Sequence, residues 1–200
     1  MATSHSPSPD PPRNPRSISG HKILVALTGG IACYKTATLI SGLVQSGAAV
    51  RVLMTEAAAR FVTPLTFESL TGSPVATAIW DAPDHLESPH VGLARWCEIL
   101  IIAPATADMI AKLAAGICED VVSLTACAMP QQTPVLLAPA MNEQMWQNPI
   151  TQRNIATVRE VLAYHTVGPG TGWQVCRTEG AGRMAEPEEI LEAAEQLLTN

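Results

Sequence analysis

Short apolar runs that alternate with helical stretches restrict this chain more than any other feature. Lys22 to Leu27, Ala49 to Met54, Glu98 to Ala103 and Val135 to Ala138 are almost unbroken series of Val, Ile, Leu and Ala. A run that is apolar at every position belongs to a strand buried on both faces, as in a parallel sheet covered by helices. The intervening segments supply those helices. Ile31 to Ser46 reads as one, closed by Gly47 as a C-cap. Others are expected over Thr106 to Ala115, Glu119 to Ala128, Asn148-Pro149 to Val161, and Glu188 to Leu198 behind Pro187. Thr55 and Thr63-Pro64 carry helix-start signals, and Tyr164 to Val167 reads as a short strand. This alternation predicts an α/β fold, a Rossmann-like or flavodoxin-like three-layer sandwich with a mainly parallel sheet.

With 200 residues, the chain is of single-domain size, and residues 21–200 are expected to form that domain. Residues 1–20 are rich in Pro and Ser and lack the apolar core of a signal peptide, so a disordered tail is expected there. Aromatics make up only 4% of the chain and the net charge is −6, which argues against a nucleic-acid surface or a basic membrane-binding face. No apolar run is long enough to span a bilayer. The five cysteines are odd in number and scattered, with no C-x-x-C, so neither a disulfide framework nor a metal site is expected. A reducing, cytoplasmic setting fits this usage. Cys97, Cys118 and Cys127 have apolar neighbours and are expected as small core residues.

Four segments can carry chemistry. Thr28-Gly29-Gly30-Ile31-Ala32 follows the first strand and opens a helix, where glycines let an anion approach backbone N–H groups. It matches neither G-x-G-x-x-G nor a Walker loop, so it is either a phosphate cradle or a plain tight turn. Thr55 either adds a hydroxyl to the same anion or only caps its helix. Ala103-Pro104-Ala105-Thr106-Ala107-Asp108-Met109 suits a flat ring held by main-chain contacts, or is an ordinary helix start capped by Thr106. In Ser88-Pro89-His90, His90 falls in the first turn of a helix, where the dipole disfavours imidazolium; it is either a neutral proton acceptor or a surface residue. Arg95, on the same helix, meets an anion or a surface carboxylate. The glycine-rich stretch 168–184 reads as an irregular, mobile flap with Cys176 as proton donor, nucleophile or incidental thiol. Finally, Asn142 in Pro139-Ala140-Met141-Asn142 lies just past a buried strand, where open α/β sheets bind ligands, unless it merely caps the next helix.

These pieces occur in one order: Gly-Gly-Ile-Ala, Ser-Pro-His-Val-x-Leu-Ala-Arg-Trp, Ala-Pro-Ala-Thr-Ala-Asp, Pro-Ala-Met-Asn-x-x-Met-Trp, then Cys176 before Gly-x-Gly-Arg-Met-Ala-Glu-Pro. As an ordered set they resemble the phosphopantothenoylcysteine decarboxylases, a family of flavin-containing cysteine decarboxylases, over about Lys22 to Leu198. The resemblance implies FMN-dependent decarboxylation of 4′-phosphopantothenoylcysteine to 4′-phosphopantetheine in coenzyme A biosynthesis, by way of a thioaldehyde and an enethiolate. It implies that Gly29, Gly30, Ile31, Ala32 and Thr55 hold the FMN phosphate, and that Thr106, Ala107, Asp108, Met109 and Ala140 line the flavin. His90 would be the base, Asn142 would bind the substrate carboxylate with help from Arg95, and Cys176 would protonate the intermediate. Asp108 stands where many relatives have Asn, and Arg177 where Gly is common. The resemblance further implies a homotrimer, or trimers assembled into a dodecamer, and a separate phosphopantothenate–cysteine ligase as a partner. Two other readings share parts of the pattern: a peptidyl-cysteine decarboxylase and a non-catalytic flavin-binding regulatory protein.

Overall fold

A computed structural model of the chain describes residues 18–79, 88–173 and 179–199. Strands β1 (Lys22–Leu27), β2 (Ala49–Met54), β3 (Val75–Ala76), β4 (Ile99–Ala105), β5 (Val135–Pro139) and β6 (His165–Thr166) form one sheet in the order β3-β2-β1-β4-β5-β6. Every neighbouring pair is parallel. This is the Rossmann order, with its reversal between β1 and β4.

Alternate residues of each strand divide between two cores. Ile23, Val25 and Leu27 face one side, with Ile99 and Ile101, under helices α1 (Cys33–Gln45), α2 (Glu56–Ala59), α3 (Pro64–Thr71) and, at the C-terminal end, Ile190, Leu191 and Ala194 of α9 (Pro187–Thr199). Leu24 and Ala26 face the other, with Leu100 and Ile102. That side is covered by α4 (Pro89–Trp96), α5 (Ala107–Ala115), α6 (Val121–Cys127) and α8 (Pro149–Glu160). The expected three layers follow from this division, because a strand buried on both faces needs a helical layer on each.

Several details differ from the sequence reading. Packing begins before residue 21: Ile18 is fully buried and Gly20 N–H donates to Gly47 O at 2.9 Å. The third long strand runs past Pro104 to Ala105, because the β4–β5 register shifts between Ile102 and Ala105 and so absorbs the donor that proline lacks. Two short elements, β3 and α7 (Glu143–Gln147), carry too few residues for a periodic signal. The stretch expected to be irregular contains an antiparallel pair, β7 (Gly170–Trp173) and β8 (Glu179–Arg183). Its glycines give it no strand propensity; tertiary contacts hold it instead, including Met141 N–H to Gly182 O at 2.9 Å. Cys97 is buried as expected, and burial pushes its thiol up to about 12. Cys118 is half-buried, and Cys127 is exposed at the last position of α6. No helix among the described residues is long and apolar enough to cross a membrane.

Candidate functional site

At the C-terminal edge of the sheet, β1 and β4 end side by side and their following turns diverge onto opposite faces. The two ends are bolted together by hydroxyls. Thr28 Oγ1 donates to Pro104 O at 2.6 Å, lies 3.1 Å from Thr106 Oγ1, and accepts from Thr106 N–H at 3.1 Å. Thr106 Oγ1 in turn caps α5 by accepting from Met109 N–H at 3.3 Å. Above this floor lies a cavity of about 890 Å³, within the range of small-molecule sites.

The cavity gathers most of the residues singled out in the sequence. Gly29, Gly30, Ile31 and Ala32 form one wall with Thr55. Thr106, Ala107, Asp108 and Met109 form a second, and Ala140 and Asn142 a third. Within the turn, the carbonyls of Gly30, Ile31 and Ala32 accept from Cys33, Tyr34 and Lys35, starting α1. The N–H groups of Gly30, Ile31 and Ala32 meet no acceptor among the described residues. They open a 13-residue helix, so donors and dipole both favour an anion there. Gly29 is required by packing: a Cβ on it would overlap Cβ of Ala57, so only glycine lets α2 sit against the turn.

Two open alternatives gain content. Thr55 does cap α2, accepting from Ala58 N–H at 3.2 Å, and it also lines the cavity. Asn142 caps α7 through Oδ1, which accepts from Gln144 N–H at 2.9 Å and Met145 N–H at 3.3 Å. The cap fixes the carboxamide plane, and Nδ2 is then on the far side from the helix. A cap and a ligand-facing amide are therefore compatible in one residue. Ala140 N–H donates to Ala105 O at 3.0 Å, which sets this third wall against β4.

Other predicted residues lie elsewhere. His90 and Arg95 stand on α4 and do not line this chain's cavity. His90 Nδ1 is buried and has no hydrogen-bond partner among the described residues. Cys176 lies outside the described residues, in the segment between β7 and β8.

The structure adds charged groups that the motifs did not flag. Lys35, Arg60, Lys112 and Arg183 all line the cavity. Lys35 is buried on α1; its Nζ is 2.9 Å from Glu186 Oε1 and 3.4 Å from Met184 O, and this pairing holds the Glu186 carboxyl below the usual range. Arg183 meets the same carboxylate at 2.7 Å. Lys112 Nζ faces Asp108 at 2.9 Å, Glu119 at 2.8 Å and Asp120 at 3.3 Å. Burial is the largest single influence on that amine and pulls it down, but the three carboxylates together outweigh it and raise it above the ordinary lysine range. The Asp108–Lys112 spacing of four was legible in the helix, and a lysine on the apolar face of α1 was a signal for Lys35.

Chemically, the walls offer an anion cradle, a run of small residues against which a planar ring can lie, and an amide donor opposite. That set fits a phosphorylated aromatic cofactor together with a carboxylate substrate. Known proteins point the same way. The chain is 44% identical over 176 residues to the coenzyme A biosynthesis bifunctional protein CoaBC of Vibrio cholerae, covering 88% of this chain and 43% of that protein. It therefore spans less than half the length of that relative. A PPC decarboxylase variant complexed with pantothenoylaminoethenethiol superposes with a TM-score of 0.81 at 27% identity, over 90% of this chain and all of the other. The FMN binding protein AtHal3 gives a TM-score of 0.76 at 28% identity, over 88% and 95% of the two chains. The model of the Flavoprotein family matches residues 12–199, and the chain belongs to that family.

Proposed function

We propose that this chain binds FMN and decarboxylates 4′-phosphopantothenoylcysteine to 4′-phosphopantetheine, a step of coenzyme A biosynthesis in the cytoplasm. The observation that carries the reading is the gathering, in one cavity at the sheet's switch point, of the Gly30–Ala32 donors and Asn142. The bifunctional relative and the PPC decarboxylase neighbour support the choice of substrate.

A carboxylate next to a saturated carbon loses carbon dioxide slowly, because the carbanion has no sink. Bound FMN supplies that sink by reversible two-electron oxidation at the carbon bearing the thiol. The chain's own residues bind and orient. Gly30, Ile31 and Ala32 donate to the phosphate, and Thr106 to Met109 with Ala140 provide a closely packed bed for the ring. Asn142 Nδ2 would hold and orient the departing carboxylate. Met141 and Met145, also on the lining, keep that side apolar. Cys176 returns a proton to the product carbon, and His90 accepts the thiol proton.

His90 can play that part only from a second copy of the chain, since it is absent from the cavity of its own. The cavity mouth supports an assembly: Ile31 and Tyr34 line it and are 51% and 61% exposed, large apolar surfaces for a cavity edge. A homotrimer or a dodecamer of trimers, with Arg95 and His90 entering a neighbour's site, accounts for both features. A phosphopantothenate–cysteine ligase activity would supply the substrate.

The test is mass spectrometry of products after full-length protein with FMN meets 4′-phosphopantothenoylcysteine, with no added reductant. Saturated 4′-phosphopantetheine is expected. Turnover of a C-terminal cysteinyl peptide instead, with the pantothenoyl substrate untouched, would overturn the substrate assignment.

A further inference from the structure

The four cations of the cavity are not equivalent. Lys35 and Arg183 share the single carboxylate of Glu186, and Lys112 is paired with Asp108, Glu119 and Asp120. Arg60 has no ion pair among the described residues: Glu56, one turn earlier and also on the cavity lining, makes none with it. An arginine that lines a ligand cavity without a carboxylate is available to a ligand anion.

Its position narrows which anion. Arg60 is the C-cap of α2, the helix whose Ala57 sits directly against Gly29 of the cradle and whose N-cap Thr55 lines the same wall. The cradle's N–H groups and the α1 dipole carry only partial positive charge, whereas a phosphate monoester carries close to two negative charges at neutral pH. A guanidinium that lines the same cavity can supply a full charge, and its planar fork suits two oxygens at once.

Resting on the FMN reading above, we propose that Arg60 is the counterion of the FMN phosphate and makes the site prefer the phosphorylated flavin over riboflavin. Arg60 remains partly in water, so its effect on affinity is on the order of tenfold rather than the larger factor of a buried pair.

Full-length protein is loaded with FMN or with riboflavin, and each dissociation constant is read from the recovery of flavin fluorescence on dilution at low and high salt. Arg60→Gln is expected to weaken FMN by on the order of tenfold. Riboflavin should change by less than about twofold, and FMN binding should lose much of its salt dependence. Arg60→Lys is expected to recover most of the loss. Equal weakening of both flavins would overturn the proposal, because the effect would then be on the fold of the wall. Unchanged FMN affinity with a raised substrate KM in the FMN-saturated enzyme would also overturn it, by assigning Arg60 to the substrate's phosphate. If FMN preference depends on Arg60 and no decarboxylation occurs in the parent protein, the functional reading falls while this one stands.

Discussion

The contact between Gly29 and Ala57 can be tested quantitatively. A Cβ added at Gly29 would overlap Cβ of Ala57 and lie 3.2 Å from its carbonyl carbon and 3.4 Å from its Cα. None of these atoms is the end of a flexible side chain, so Gly29→Ala can be accommodated only by moving α2 or the cradle as a body. Overpacking of this kind costs about 1–3 kcal/mol. For a domain of this size that corresponds to a fall in Tm of roughly 2–12 °C. The same displacement moves the Gly30–Ala32 donors, so FMN affinity should fall in parallel. Ala57→Gly removes one of the overlapping atoms at a cost of about 1 kcal/mol in helix propensity. Thermal unfolding of the four members of the cycle, at one protein concentration and with saturating FMN, gives the coupling directly. Gly29→Ala should be milder by at least about 1 kcal/mol in the presence of Ala57→Gly than in its absence. An equal loss in both backgrounds would refute the steric argument and leave the glycine unexplained by this contact.

Two further outcomes follow from the hydrogen bonds around the cavity. Thr106→Ala deletes the α5 cap and one partner of Thr28, and should lower stability by about 1 kcal/mol, a Tm decrease of about 2–4 °C; Thr106→Ser should restore most of it in the same thermal assay. The Glu186 carboxyl is held low chiefly by Lys35, so its contribution is present above the ordinary carboxylate pKa of about 4.3 and is lost as pH falls through the lowered folded value. Hydrogen exchange at Gly182 to Met184 should therefore accelerate on acidification beyond the intrinsic rate change. Glu186→Gln should remove that extra dependence, and an unaltered pH profile in the variant would exclude the pair as the anchor of β8.

Much of the scaffold was legible because it is written in unbroken apolar runs. β1, β2 and β5 need no partner to be recognised, since strands buried on both faces are apolar along most of their length, with Lys22 and Arg51 near the exposed starts of β1 and β2. Capping chemistry marked the helices just as locally: Thr55, Thr106 and Asn148 each accept the N–H bonds their positions suggested. What remained hidden depends on contacts between distant residues. The β7–β8 pair has glycine at Gly170, Gly172, Gly180 and Gly182, a composition that argues for a loop. It is specified by its footing on α7, where the Glu143 carboxylate occupies the space a Cβ on Gly180 would take. The partners of Lys35 lie about 150 residues further on, beyond any local pattern. Cys127 misled because apolar neighbours in sequence do not decide whether the last residue of a helix is covered.

The site's location can be argued from topology alone. Between β1 and β4 the connections leave in opposite directions, one through α1 onto the first face and one through α5 onto the second. Helices that diverge cannot fill the space above the strand ends, so a crevice at that point is a consequence of strand order. Leaving the crevice open exposes the ends of two buried strands, and the Thr28–Thr106 pair satisfies the polar groups there without projecting bulk into it. Large side chains at either position would fill the crevice; apolar ones would leave the Thr106 N–H without its acceptor. The small hydroxyl residues thus serve strand closure and ligand space at once. That is why the motifs around them are composed of Gly, Ala and Thr, while the charges stand one layer out, on Lys35, Arg60, Lys112 and Arg183.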